Sequence, residues 1–101
     1  MNGIRFEWDE AKNLANQRKH GISFEEAIQI FADPLHFSIP ERVVDGELRW
    51  RTFGTAANRA LLVVAHTLHE EHEEGTLEIV RIISAREVTR EERRSYEEEN
   101  G

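Results

Sequence analysis

Residues 22–53 read ISFEEAIQIFADPLHFSIPERVVDGELRWRTF, and inside this stretch the hydrophobic repeat changes period. Phe24, Ala27, Ile28 and Phe31 fall three or four apart, the spacing of one helical face. Ser23 and Glu26 form a capping box at the start of that helix, and Ile22 with Ala27 supplies a hydrophobic staple. Asp33-Pro34 stops it, because the residue before a proline is driven out of the α region. Beyond the stop, Leu35, Phe37 and Ile39 alternate with polar residues up to Pro40, and Val43 to Gly46 reads as a turn containing Asp45-Gly46. Leu48, Trp50 and Thr52 then alternate with Arg49, Arg51 and Phe53, so the two arginines share one strand face.

On the N-terminal side, Ile4, Phe6 and Trp8 alternate as a short strand, and Asp9 caps a helix in which Ala11, Leu14, Ala15 and Arg18 recur at helical spacing. Gly21 ends that helix where a left-handed backbone is needed. On the C-terminal side, Gly54 to Asn58 reads as a turn and Leu61 to Thr67 as a central strand. His69 to Thr76 reads as a polar hairpin loop, and Leu77 to Ala85 as the last strand. Thr89 with Glu92 opens a charged helix through Tyr96. The expected fold is α+β: one domain over residues 1–101, in the order β-α-α-β-β-β-α, an antiparallel meander with the helices packed on one side.

The chain has 101 residues, which suits one domain and not two of ordinary size. It has no cysteine, which excludes disulfides, thiolate catalysis and cysteine-ligated metal sites. No apolar run is long enough to span a bilayer and no leader opens the chain, so a cytoplasmic protein without membrane contact is expected. The net charge of −7, from 13 basic and 20 acidic residues, argues at first against phosphate-rich partners. Seven of the acids, however, are Glu70, Glu71, Glu73, Glu74, Glu97, Glu98 and Glu99, and without them the remainder is 13 against 13. The basic set is eleven arginines with only Lys12 and Lys19, and arginine is the planar fork suited to phosphate and carboxylate.

Arg49, Arg51, Arg81, Arg86 and Arg90 fall on strands and at the junction with the last helix, so they can line a phosphate site on an open sheet face. The alternative is that they pair with Glu47, Glu78, Glu87 or Glu91. Lys19-His20-Gly21 either completes a helix terminus or offers a proton-transfer group and phosphate clamp. His66, His69 and His72 recur every three residues and with Glu70 or Glu73 could hold zinc or nickel, but on a strand-to-loop segment they do not share a face, and a polar hairpin tip is the commoner account. No P-loop, dinucleotide fingerprint or Ser-His-Asp pattern is present.

Several segments together resemble the BrnT family, the toxins of a bacterial type II toxin–antitoxin system. They are Phe6-Glu7-Trp8-Asp9, Lys19-His20-Gly21 with Ser23-Phe24-Glu25-Glu26-Ala27, Asp33-Pro34, and Arg49-Trp50 ahead of Gly54. Leu62-Val63-Val64, Arg81-Ile82-Ile83-Ser84-Ala85-Arg86 and Glu92-Arg93 to Tyr96 continue the match, which runs from about Phe6 to Tyr96. The resemblance implies a RelE-like fold and a ribonuclease that arrests growth. It implies metal-independent, cofactor-free RNA cleavage, in which the ribose 2′-hydroxyl attacks the adjacent phosphate. By motif match the catalytic candidates are Lys19, His20, Arg81, Arg86 and Arg90. Arg49 and Arg59 would support RNA binding, with Glu78 a base or orienting carboxylate. It implies as partner a BrnA-type ribbon-helix-helix antitoxin, with operator DNA contacted only through that antitoxin. A catalytically silent binding module using the same arginine face is the alternative.

Overall fold

In the computed structural model, which describes residues 2–100, the elements run β1 (Gly3–Glu7), α1 (Glu10–His20), α2 (Phe24–Ala27), a 3₁₀ segment (Ile28–Ala32), β2 (Phe37–Val44), β3 (Glu47–Thr55), β4 (Leu61–Glu71), β5 (Leu77–Glu87) and α3 (Arg90–Asn100). The α+β class holds, and the sheet has five strands in the order β1-β5-β4-β3-β2. The expected order had one strand fewer. The additional strand is β2, which continues through Pro40 to Val44 because a bulge between Pro40 and Arg42 absorbs the proline at the sheet edge. The meander is antiparallel from β2 to β5, but β1 returns to pair with β5 in parallel. β4 also runs further than the sequence suggests: His69, Glu70 and Glu71 pair with Ile79, Glu78 and Leu77, leaving only a short turn where a loop from 69 was expected.

The register sorts side chains into rows across the sheet, since residues directly opposite share a face. One face carries Ser38–Thr52–Val64–Ala85, Pro40–Trp50–His66–Ile82, and Leu68–Val80–Phe6. Phe24, Ala27 and Ile30 are fully buried against this face and form the core with Leu62, Val64, Val80, Ile82 and Ala85. Gly54 lies in the same layer, and a Cβ there would stand 2.9 Å from the Ile30 Cβ, so the 3₁₀ segment rests directly on the β3 backbone. Ser23 and Glu26 make both halves of their capping box, Asp9 caps α1, and Gly21 at φ 71 closes α1.

The docking of α1 departs from its apolar periodicity. Leu14 is half-exposed, and the buried residues of the helix are Asn13 and Asn16. β1 pairs only with Leu77–Arg81, which leaves the later edge of β5 without a strand partner. Asn16 takes that place: its Nδ2 donates to the Ala85 carbonyl at 2.8 Å and to the Ile22 carbonyl at 2.8 Å, and the Ala85 N–H donates to its Oδ1 at 3.1 Å. Asn13 accepts from the Phe24 N–H at 2.8 Å, tying α1 to the start of α2. Two carboxamides thus satisfy buried backbone groups that a leucine face would have orphaned.

The expectation that all helices lie on one side holds for α1, α2 and the 3₁₀ segment, and fails for α3. The other face carries Phe37–Phe53–Val63–Arg86, Ile39–Arg51–Ala65–Ser84, and Thr67–Arg81–Glu7. α3 meets this second face, where Tyr96 stacks on Phe37 with ring centroids 5.8 Å apart and Glu92 reaches Arg86 and Arg51. The Tyr96 hydroxyl donates to Asp33 Oδ2 at 3.1 Å, and Asp33 also accepts from the Thr55 N–H at 2.7 Å. The physical reason is composition: no residue of α3 is buried, so it is held by ion pairs and one aromatic stack, which the arginine face provides and the apolar core does not.

Candidate active site

A bulge in β5 builds the arginine face. Arg81 and Arg86 are five residues apart, an odd interval that would place them on opposite faces of a regular strand. Between Ala65 and His66 the register slips: Ala65 pairs with Ser84 and His66 with Ile82, so Ile83 is the extra residue. Arg81, Ser84 and Arg86 thereby come to one face, alongside Arg49 and Arg51 of β3. Arg42 stands opposite Arg49 on the outer hairpin, and neither has a carboxylate partner among the described residues. Opposite-facing like charges destabilise the sheet locally, and they raise the positive potential at this face.

The small residues Ala65 and Ser84 hollow this face out. Together with Glu41, Arg51, Val63 and Arg86 they line a cavity of about 160 Å³. Arg86 is held in a fork: its Nη1 lies 2.7 Å from Glu92 Oε1 and its Nη2 3.0 Å from Oε2. Glu92 also completes the expected capping box, accepting from the Thr89 N–H at 2.9 Å while its own N–H donates to the Thr89 hydroxyl at 3.2 Å. The hydrogen bonds from the Arg86 guanidinium prevail over partial burial and hold the Glu92 carboxyl down at about 2. Arg86 is shifted upward, chiefly by the same hydrogen bonds. The acid that pairs on this face is therefore Glu92, and not Glu47, Glu78, Glu87 or Glu91. Arg81 is half-exposed and lies 4.0 Å from Glu7, a contact too long and too wet to hold it.

Lys19 and His20 lie next to this face, around one edge of the sheet. With Lys12, Ala15, Asn16, Ile83 and Ser84 they line a second cavity of about 220 Å³. Ser84 lines both cavities, so the C-terminal turn of α1 adjoins the arginine hollow. The Asn16 clamp on Ala85 holds that turn beside the bulge. Of the remaining candidates, Arg90 opens α3 on the surface, with no partner among the described residues. Arg59 sits in the β3–β4 turn at φ 69, exposed. Glu78 is not brought to the arginines, because it pairs with Ile4 and Glu70 on the opposite face. Sequence reasoning placed Arg51 among the arginines of the phosphate face, and it did not single out Glu92 for the site. Arg51 was legible from its alternation with Arg49 on one strand face, whereas no sequence signal gave Glu92 its second role.

The three histidines separate. His69 and His72 are exposed on the hairpin, and His72 Nε2 lies 3.2 Å from Glu70. His66 is buried on the helix side of the sheet, where its Nδ1 meets the Thr67 carbonyl at 3.1 Å and its Nε2 meets the Thr52 hydroxyl at 2.6 Å. A carbonyl only accepts, so Nδ1 carries the proton. The neutral ring then accepts at Nε2 from Thr52, which accepts in turn from the Ser38 hydroxyl at 2.6 Å. Burial pushes the His66 pKa below its ordinary value, against a smaller upward pull from the Thr67 carbonyl. The unfolded chain therefore binds this proton more readily than the folded one. The stability that the neutral ring confers is complete above pH 6.5 and is lost as pH falls toward the depressed folded value. Urea unfolding is expected to show stability falling from pH 7.5 to about 5.5, with a shallower fall in His66→Gln. An unchanged slope in the variant would refute this assignment.

Residues 8–92 match the family described as "Ribonuclease toxin, BrnT, of type II toxin-antitoxin system". Among solved structures, the chain is similar to the 1.1 Å crystal structure of the Brucella abortus ribonuclease toxin BrnT. The TM-score is 0.55 and the identity 17%, covering 86% of this chain and 99% of that one. No curated protein matches the chain significantly in sequence.

Proposed function

The chain belongs to the BrnT family of ribonuclease toxins of type II toxin–antitoxin systems, and from that premise we propose that it cleaves RNA without a metal ion, on the arginine face of its sheet. A toxin of this class works with an antitoxin partner. No described helix is long and apolar enough to cross a membrane. The observation that carries the proposal is the β5 bulge, which puts Arg81 and Arg86 on one open face beside Arg49 and Arg51.

The chemistry needs no cofactor. The ribose 2′-hydroxyl gives up its proton and its oxygen attacks phosphorus. The bond from phosphorus to the 5′-oxygen breaks, and that oxygen takes a proton. The products are a 2′,3′-cyclic phosphate and a free 5′-hydroxyl. Arg81 and Arg86 carry the charge that gathers on the phosphoryl oxygens in the pentacovalent state. Lys19 or His20, next to the hollow through Ser84, moves the protons or holds the RNA backbone. Arg49, and more remotely Arg59 and Arg90, extend the phosphate track. Glu78 takes no part, since it faces away from this set.

The partner in this reading is a BrnA-type ribbon-helix-helix antitoxin. It covers the arginine face, brings the complex to operator DNA, and leaves the toxin itself without DNA contact. Purified protein incubated with single-stranded RNA in EDTA is expected to release fragments. RNA that stays intact at large protein excess would refute the ribonuclease reading and leave a binding module that uses the same arginines.

A further inference from the structure

We infer that Arg51 and Arg86 together form the subsite for one RNA phosphate, and that Glu92 fills this subsite in the free protein and withdraws when RNA enters. The inference rests on the ribonuclease reading for the identity of the anion. The geometry itself points to an anion with two charged oxygens and a further acceptor, whatever its source.

Arg51 and Arg86 flank the same hollow from β3 and β5, with Ala65 and Ser84 as its floor. The two guanidinium groups converge on one carboxylate. Arg86 binds both oxygens of Glu92, at 2.7 and 3.0 Å, and Arg51 Nη1 stands 3.4 Å from Oε2. A carboxylate and a phosphodiester each present two anionic oxygens to such a fork, so Glu92 occupies the position a phosphate would take. Arg51 is the incompletely served partner. Its Nε is the one buried side-chain nitrogen or oxygen among the described residues that lacks a hydrogen-bond partner. A bridging ester oxygen of a phosphodiester in the hollow would satisfy it, whereas Glu92 has only two oxygens, both engaged by Arg86. Buried donors are otherwise paired in folded proteins, so the orphan points to a missing ligand.

The element that delivers Glu92 is built to leave. α3 buries no residue, and it follows the last ladder bond, from the Val88 N–H to the Leu61 carbonyl. Apart from Glu92 it is held to the body by Tyr96, through the Phe37 stack and the hydroxyl to Asp33. Releasing α3 therefore draws none of its own residues out of a core, while it frees both arginines from Glu92. Arg51 is thus a phosphate-binding residue of the site, and Glu92 a competitor built into the chain.

The test measures binding rather than cleavage, with a short 2′-O-methyl oligonucleotide that cannot be cut. Glu92→Gln and Tyr96→Ala should each tighten binding about tenfold, because each weakens the competitor. Arg51→Ala should weaken binding about tenfold and reverse the gain of Glu92→Gln. Amide hydrogen exchange of α3 should rise in the wild-type protein when the oligonucleotide binds. Glu98→Gln removes the same charge elsewhere on α3 and should leave the affinity unchanged. The inference is overturned if Glu92→Gln or Tyr96→Ala binds no more tightly, or if Glu98→Gln gives an equal gain. It is also overturned if α3 keeps its protection with the oligonucleotide bound. Cleavage without competition would remove this inference and keep the ribonuclease, whereas competition without cleavage would do the reverse.

Discussion

Arg86→Ala is expected to slow RNA cleavage by about 10²–10³-fold, the cost of deleting one preorganised donor to the charge that develops in a transition state. Arg86 is suited to that role because its guanidinium is fixed before substrate arrives. Its fork is already formed on a carboxylate, and its strand is pinned by the β4 ladder. Arg86→Lys keeps the charge and loses the planar fork, so it should recover only a small part of the rate. The same substitution acts on stability through Glu92. That carboxyl is held at about 2 against an ordinary 4.5, so the stability it confers is complete above pH 4.5 and is lost as pH falls toward 2. In Arg86→Ala the larger part of that contribution should be missing already at neutral pH, leaving the part from the Thr89 capping box, seen as a flatter acid limb in urea unfolding and as faster amide exchange in α3. A wild-type cleavage rate in Arg86→Ala would remove Arg86 from the site.

The largest stability effect is expected from Asn16→Leu. The substitution is close to isosteric and improves helix propensity and hydrophobicity, so an apolar-core account predicts a gain. The structure predicts a loss of about 3 kcal/mol, because the Ala85 N–H and the carbonyls of Ala85 and Ile22 would be left buried without partners. For a domain of this length, that corresponds to a fall in Tm of roughly 12–20 °C. Thermal unfolding followed by circular dichroism measures it directly. A variant as stable as the parent would mean that the edge of β5 finds water or another partner. Because the clamp also places the Lys19 turn beside Ser84, cleavage by the folded fraction should fall as well.

Much of this architecture is legible in the sequence because its signals are local. The capping boxes at Ser23 and Thr89, the Asp9 cap, the Gly21 stop and the switch to alternation after Pro34 each depend on neighbouring residues, and each appears where the pattern puts it. What stays hidden is long-range. The slip between Ala65 and His66 has no marker in the sequence, yet it decides that Arg81 and Arg86 share a face. Helical periodicity selected Leu14 and Ala15 for α1, and the buried face is Asn13 and Asn16. The only cue was two weak helix formers in a helix interior, a position where asparagine needs a reason. The candidate site divides the same way. Arginines on strands are visible from alternation, whereas Glu92 was fully accounted for by its cap, and its second contact spans from α3 to β3 and β5.

The charge of the chain acquires a location through this arrangement. Six arginines, at positions 5, 42, 49, 51, 81 and 86, share one sheet face with Glu7, Glu47 and Glu71, while Glu70 and Glu78 lie on the other. A net −7 is therefore compatible with a local field that attracts phosphate at short range.

Metal-independent attack by the ribose hydroxyl on the arginine face leaves its signature in the ends of the RNA fragments. In EDTA, the cut RNA should carry 2′,3′-cyclic phosphate on the upstream fragment and a 5′-hydroxyl on the downstream one, and a 2′-O-methyl group at the cut nucleotide should abolish cleavage. Fragments with 5′-phosphate ends, or cleavage that stops when EDTA is added, would contradict it.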